Sequence, residues 1–177
     1  RGLGDVYKRQ VQGGRITVGG HDVREYKLDS LMKNISMVFQ SVYLFNDTVE
    51  NNIKFGCPGA THEQVVEAAK KACCHDFISA LPDGYDTVIG EGGATLSGGE
   101  KQKIACGSAA AIEPDIYVLD EPSSNLDTYA IADFRKLLML LKAQGKTIVI
   151  SEHRLYYLRD LADRVLYMKN GEIRGDY

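Results

Sequence analysis

The chain has 177 residues, 44% hydrophobic and 25% charged, which is enough for about one globular domain with a buried core. A formal net charge of -3 gives no excess of Lys and Arg for binding nucleic acid, so we predict no nucleic-acid partner. No apolar run is long enough to cross a bilayer, and no secretory signal opens the chain, so any membrane connection is expected to come through another domain or subunit.

The first ten residues differ from the rest of the chain. Residues 1–10 have no periodic apolar face and resemble a translated linker scar, although an ordinary ragged terminus remains the alternative. We therefore begin the predicted fold at residue 11. Residues 15–18 are expected to form a short strand closed by Gly19-Gly20, and the mostly apolar residues 35–39 form a second strand.

Two helices are predicted next, and each begins with a capping box. In this motif a Ser or Thr and the residue three positions later satisfy each other's backbone N–H groups. The first helix is expected over residues 61–72 and the second over 97–112, with the capping pairs Thr61–Gln64 and Ser97–Glu100.

The last third of the sequence alternates apolar strands with helices. Strands are predicted over residues 116–119 and 147–150, a helix over 128–143, a short helix over 155–161, and a hairpin with Asn170-Gly171 at its turn. This alternation is typical of an α/β fold, a parallel sheet with helices on both faces. The four cysteines match no zinc spacing and are predicted to be reduced thiols of a cytosolic protein: Cys57, Cys73, Cys74 and Cys106.

Four polar features follow or flank these elements, in a fixed order. Gln40 follows the strand at 35–39, a glycine-rich sequence opens the helix at Ser97, Asp120-Glu121 ends the strand at 116–119, and His153 follows the strand at 147–150. Ligands of open α/β sheets bind beyond the carboxyl ends of the strands, and helix N-termini suit phosphate groups. Taken singly, each feature also has an ordinary explanation: a solvated acidic turn, a common helix cap, a structural histidine or a polar strand end.

Taken together, the ordered set resembles the ATP-hydrolysing domain of ABC transporters over residues 11–177. The matching motifs are Leu96-Ser97-Gly98-Gly99-Glu100 as the signature, Tyr117 to Glu121 as the Walker B strand, Ser124-Asn125-Leu126-Asp127 as the D-loop, Gln40 as the Q-loop glutamine and His153 as the switch histidine. The resemblance implies a P-loop NTPase-type sheet core at about 113–177 and a helical signature subdomain at about 41–112.

The resemblance also implies a role for each residue, with ATP and Mg²⁺ as cofactors. Asp120 and Gln40 would hold Mg²⁺, Glu121 would act on the attacking water, and His153 would contact the γ-phosphate. A second ABC ATPase domain, identical or different, would pair head to tail with this one and share its ATP sites. The residues assigned to these shared sites, together with Gln40, are Ser97, Gly98, Gly99, Glu100 and Asp127. A transmembrane domain would place the assembly on the cytoplasmic face of the membrane.

The chain departs from the family in two respects. No G-x-x-x-x-G-K-[ST] phosphate loop occurs in the sequence, so we expect the isolated chain to bind ATP poorly and to hydrolyse almost none. The first half resembles exporters in residues 40–53 and 86–93, whereas Pro122 and Glu152 are typical of the energy-coupling-factor type. We therefore hypothesise a chimera joined near residues 97–102, with a single natural subunit of mixed features as the alternative.

Two other functions remain open at this stage. A non-transport ABC ATPase acting on ribosomes or DNA usually carries long basic or coiled-coil insertions, which the sequence lacks. A non-catalytic subunit could instead lend its signature helix to an intact neighbour. Import and export are not distinguished by the sequence, and neither is the transported substrate.

Overall fold

The structure of the protein is a computed structural model that describes residues 13–93 and 95–177. The strands are β1 (Thr17–Val18), β2 (His21–Asp22), β3 (Ile35–Val38), β4 (Asp47–Thr48), β5 (Val88–Ile89), β6 (Ile116–Asp120), β7 (Thr147–Ser151), β8 (Leu166–Lys169) and β9 (Glu172–Asp176). The α-helices are α1 (Leu28–Asn34), α2 (Val49–Lys54), α3 (His62–Lys71), α4 (His75–Ser79), α5 (Gly98–Ala111) and α6 (Thr128–Ala143). The predicted scar at residues 1–10 lies outside the described part of the chain.

The chain forms two compact units, the first ending at Lys33 and the second covering Asn34–Tyr177. In the first unit β1 and β2 pair antiparallel through a turn at Gly19 and Gly20, both of which have positive φ. The strand predicted over 15–18 is shorter than expected because β2 offers only two residues for pairing. The carbonyl of Ile16 instead accepts a hydrogen bond from the N–H of Val23.

The second unit is built on a three-stranded parallel sheet in the order β3-β6-β7. Alternating side chains point to opposite faces, and the face that carries Val38, Tyr117 and Leu119 is buried. Met37 and Val149 belong to the other face and are 49% and 53% exposed. The predicted α/β class with a parallel sheet is therefore confirmed, and the buried face carries the core. Helices were predicted on both faces, but in the described residues the face with Met37 and Val149 is largely exposed.

The helices between β3 and β6 pack mainly on each other. Helix α5 contacts α2 and α3, and their facing residues are completely buried apolar side chains: Val49, Ile53, Val65, Ala69 and Ile104. Both predicted capping boxes are present, at Thr61 with Gln64 and at Ser97 with Glu100. The predicted boundary of a helical subdomain at about 41–112 stays a prediction.

The end of the chain matches the sequence prediction with one exception. Helix α6 buries the predicted apolar stripe, and β8 and β9 form the predicted hairpin with Asn170 and Gly171 in left-handed conformations at the turn. The helix predicted over 155–161 is only a 3-10 turn at Leu155–Leu158, because just one of its residues, Tyr157, is buried and no apolar face extends it. None of the described helices is both long and apolar enough to cross a membrane.

Candidate functional site

The carboxyl ends of the three parallel strands form one edge of the sheet. The register aligns Val38 of β3 with Leu119 of β6, and Asp120 of β6 with Ser151 of β7. The residues that follow these strands therefore emerge side by side, with β6 in the middle. This edge is where Gln40, Glu121 and His153 were predicted to meet.

Glu121 lies at the centre of this cluster, and each of its carboxylate oxygens contacts a different predicted residue. The side-chain amide of Gln40 donates to Oε2 of Glu121 at 2.7 Å. Nε2 of His153 lies 3.2 Å from Oε1 of the same carboxylate. Residues that are 81 and 32 positions away in the chain thus converge on one side chain. Asp120 is the exposed last residue of β6, directly before Glu121.

The backbone at Glu121 is held in an unusual conformation. Its φ is +43°, a left-handed value that costs a non-glycine residue roughly 1–2 kcal/mol. Two hydrogen bonds fix the bend: the N–H of Glu121 donates to the carbonyl of Ser151 at 2.8 Å, and its carbonyl accepts from Ser124 at 3.1 Å. Strained residues of this kind persist where the surrounding structure over-determines them, which is common at functional sites. The bend turns the chain away from the sheet immediately after the strand.

The glycine-rich start of α5 lies next to the loop at residues 123–126. A Cβ built on Gly98 would stand 3.1 Å from Cβ of Asn125, and one on Gly99 would stand 3.7 Å from Leu126. The side-chain amide of Asn125 in turn donates to the backbone carbonyl of Gln40 at 3.4 Å. The start of α5 therefore approaches another part of the chain closely, and within this chain the neighbour is the loop that follows Glu121.

Three further predicted site residues serve as helix caps. Ser97 and Glu100 bond each other's backbone N–H groups at 3.3 and 2.7 Å, and Asp127 accepts from the N–H of Ala130 at 2.7 Å. Ser97, Gly98 and Asp127 are exposed, so the start of α5 is open to a ligand or to another protein. Their hydrogen bonds are local to their own helices, and the structure does not bring them to the Glu121 carboxylate.

No sequence motif predicted the network around Glu152, the residue directly before His153. Its carboxylate accepts hydrogen bonds from Ser123, His153, Arg154 and the hydroxyl of Tyr157. Burial acts to raise the pKa of Glu152, but these donors outweigh burial and hold that pKa below its usual range. The available signal was a charged pair flanking His153, Glu152 and Arg154, directly after an apolar strand.

The donor groups at the strand ends fit Mg²⁺ bound together with a nucleotide. Among the described residues, no three His, Cys, Asp or Glu side chains stand close enough to hold a metal by themselves. Mg²⁺ in nucleotide enzymes is usually bound by one or two carboxylates and completed by phosphate oxygens and water. The exposed Asp120 carboxylate, with the amide of Gln40 across the same edge, meets that requirement.

Comparison with known proteins gives a consistent result. A family model described as "ABC transporter" matches residues 6–124. The chain is similar to the ATP-dependent lipid A-core flippase of Syntrophus aciditrophicus, with 45% identity over 163 residues, 92% of this chain and 27% of that protein. It is 42% identical to the mitochondrial iron-sulfur clusters transporter ATM1 of Gibberella zeae, over 92% of this chain and 23% of that protein.

A solved structure has the same fold. The chain superposes on the structure of a bacterial Atm1-family ABC exporter with ATP bound, with a TM-score of 0.87, 38% identity, and coverage of 93% of this chain and 29% of that chain. The chain thus spans about a quarter of the length of the relatives that it matches. Similarity to exporters runs through both of its halves, and the junction near residues 97–102 stays a prediction.

Proposed function

The chain belongs to the ABC transporter family as part of the ATP-binding domain, and from that premise we propose that its strand-end site hydrolyses ATP to drive transport. The observation that carries the proposal is the Glu121 carboxylate, held between Gln40 and His153 beside the exposed Asp120. This arrangement supplies a base, a hydrogen-bond donor for phosphate and an oxygen ligand for a metal within one edge of the sheet.

The proposed mechanism assigns one task to each side chain. Glu121 orients the attacking water and accepts its proton as the water oxygen bonds to the γ-phosphorus and the bond to the leaving ADP oxygen breaks. His153 donates a hydrogen bond to the γ-phosphate, on which negative charge is concentrated. Asp120 and Gln40 would hold Mg²⁺, and the charge of that ion would neutralise phosphate charge.

The second part of the proposal is a shared site in a head-to-tail dimer with another ABC ATPase domain. The exposed start of α5, with Ser97, Gly98 and Gly99, would close over the γ-phosphate of an ATP held by the partner domain. An N-terminal helix end presents free N–H groups and the positive end of the helix dipole, both of which favour an anion. Glu100 would keep this helix start ordered through its capping bond, and Asp127 would contribute from the neighbouring loop.

We further propose that a transmembrane domain docks on an aromatic surface near Gln40. Tyr43, Phe45 and Phe55 are 60%, 44% and 66% exposed. The ring of Phe45 meets that of Tyr43 edge to face, with centroids 5.9 Å apart, and lies tilted against that of Phe55, with centroids 4.6 Å apart. Exposed apolar clusters of this kind mark protein-binding surfaces. The surface begins three residues after Gln40, so a docked partner could sense the site. This arrangement would hold the chain on the cytoplasmic face of the membrane, and the relatives' names favour export.

The isolated chain is proposed to be inactive because its sequence contains no G-x-x-x-x-G-K-[ST] loop to bind the phosphates. Calorimetric titration of the purified chain with MgATP is therefore expected to give no saturable binding in the micromolar range. Micromolar affinity in the isolated monomer would contradict this part of the proposal. The capped, exposed start of α5 also favours a second candidate function, a non-catalytic subunit that lends this helix to an intact neighbour.

A graft decides between the two candidates. The phosphate-loop segment of the lipid A-core flippase is fused before residue 11, and ATP binding and phosphate release are measured together. An ATPase predicts that binding and hydrolysis both return, and that Glu121→Gln lowers kcat at least about 100-fold while binding is kept. Glu172→Gln, an exposed carboxylate paired with Arg174, is the matched control. A graft that folds and binds ATP but hydrolyses none would contradict the catalytic proposal and favour the non-catalytic one.

A further inference from the structure

We propose that Glu152 is a positioning residue, which acts with Arg154 to fix His153 and the loop after Glu121 as one rigid group. We refer to these two side chains and the loop backbone that they bond, residues 122–126, as the Glu152–Arg154 clamp. The inference rests on the proposed function, because it concerns how the side chains of Glu121 and His153 are held in position relative to each other.

The first half of the clamp is the carboxylate of Glu152. Oε2 accepts from the N–H of Ser123 at 3.3 Å and from the hydroxyl of Tyr157 at 2.7 Å. Oε1 accepts from the N–H groups of His153 and Arg154 at 2.8 and 3.1 Å. One carboxylate thus joins the loop after Glu121, the backbone at His153 and a buried tyrosine.

The second half of the clamp is the guanidinium of Arg154. Its Nη1 donates to the carbonyl of Ser123 at 3.2 Å and to that of Leu126 at 3.4 Å. The two charged side chains that flank His153 therefore bond the same loop in different ways: Glu152 accepts from a backbone N–H, and Arg154 donates to two backbone carbonyls. Ser123 is completely buried, so its N–H and carbonyl need such partners.

His153 depends on this support because its own ring is nearly free. The ring is 86% exposed, and its contact with Glu121 at 3.2 Å is with a side chain that is 27% exposed. A single exposed contact is worth little and does not hold a side chain in place. The position of the ring must therefore come from its backbone, which is fixed on one side by β7 and on the other by the clamp.

The remaining members of the network keep the clamp charged and rigid. Burial and the bond donated to Glu152 raise the pKa of the Tyr157 hydroxyl, so it stays protonated and remains a donor. Tyr157 is itself held by Phe134 of α6, whose ring centroid lies 6.2 Å away, and by Arg135, which donates to its carbonyl. A hydrogen bond to an ionised carboxylate is stronger than one between two neutral groups.

A purely structural role for Glu152, as a buried group that caps a turn, is the competing explanation. That role predicts a loss of stability when the carboxylate is removed and no change in the surroundings of the His153 ring. The clamp predicts something more local: the ring of His153 should lose its contact with Glu121, although Glu152 bonds only the backbone of His153. Glu152→Gln separates the two, since it keeps the volume of the side chain and removes its charge.

The experiment uses the whole chain without nucleotide, so it does not depend on ATP hydrolysis. Glu152→Gln, Arg154→Gln and the control Glu172→Gln are labelled for NMR, and the ring signals of His153 are compared with those of Glu121→Gln. We expect both clamp variants, but not the control, to move the His153 ring signals toward their positions in Glu121→Gln. Amide exchange at residues 123–126 should become about tenfold faster, while exchange in α5 changes little.

Each outcome decides the inference. Unchanged His153 ring signals in a folded Glu152→Gln chain would overturn it, as would exchange that quickens equally in the loop and in α5. If Glu152→Gln does not fold, the exposed Arg154→Gln variant carries the test, and unchanged ring signals there overturn the inference as well. Failure of the phosphate-loop graft to hydrolyse ATP would instead contradict only the proposed function.

Discussion

The interior of the helical region and the strand-end site are held together by different forces. Between α2, α3 and α5 the contacts are apolar, and Val49, Ile53, Val65 and Ile104 are completely buried. At the strand ends the groups are polar and mostly exposed, and Gln40, Glu152 and Arg154 each make a hydrogen bond to a group distant in sequence. The first region depends on packing and the second on the direction of individual bonds.

This difference predicts how each region responds to substitution. Removing atoms from the helical interior should lower the stability of the whole second unit, because the close-packed core loses buried contacts and a cavity remains. Changing a group at the strand ends should disturb local geometry, with a smaller effect on global unfolding. The following predictions test the contrast, from the largest expected effect to the smallest.

Truncation in the helical interior should have the largest effect. Ile53 of α2 is completely buried, and Ile53→Ala is expected to lower the free energy of unfolding by about 2–5 kcal/mol through lost burial and a cavity. Val88→Ala, at an apolar residue that is 61% exposed, is the control and should cost less than about 1 kcal/mol. Urea denaturation measures both, and equal losses would remove the contrast between buried and exposed positions.

Adding an atom where two elements touch should be nearly as damaging. A Cβ on Gly56 would lie 2.6 Å from the carbonyl oxygen of Ser108 and 2.7 Å from Ile112, so Gly56→Ala should cost roughly 1–3 kcal/mol by overpacking. Gly59 has no heavy atom within 4 Å of the same position, so Gly59→Ala should be close to neutral. A Gly56→Ala chain as stable as wild type in thermal unfolding would show that α5 moves freely away from this turn.

The strand-end site should respond to pH through Glu152. Because the pKa of Glu152 is lowered in the folded chain, its contribution is complete above the ordinary glutamate pKa of about 4.3 and disappears as pH falls through the lower folded value. At neutral pH, Glu152→Gln should cost roughly 1.5–3 kcal/mol, the range for hydrogen bonds to a charged group. The difference in Tm between wild type and Glu152→Gln should therefore be constant above pH 5 and shrink below pH 4. A difference that does not change with pH would contradict the ionised clamp.

The smallest expected effect concerns the backbone of Glu121. Its left-handed φ of +43° favours glycine, so Glu121→Gly should be more stable than Glu121→Ala by about 1 kcal/mol. Both variants lose the carboxylate, and their difference isolates the backbone. In the middle of α5 the order should reverse, and Ala105→Gly should be less stable than wild type by about 1 kcal/mol. If the denaturation midpoint of Glu121→Ala were higher than that of Glu121→Gly, backbone strain at Glu121 would be contradicted.

Local patterns in the sequence predicted most of the longer elements. Helix α6 was predicted with its observed bounds, and the capping boxes at Ser97 and Thr61 are present as expected. The convergence of Gln40, Glu121 and His153 followed from their positions after parallel strands. Short helices were missed, for example α2 at Val49–Lys54, because six residues give too little periodicity and this helix is stabilised mainly by packing against α5.

By itself the sequence determined the class of fold, the order of the motifs and the side chains at the ends of the strands, because these depend on periodicity and on residue type at known offsets. Only the tertiary structure decided the bend at Glu121, the contact of Gly98 with Asn125 and the hydrogen bond from the N–H of Ser123 to Glu152. The physical reason is that hydrogen bonds and close contacts between residues 25 or more positions apart depend on directions in space, which no local pattern encodes.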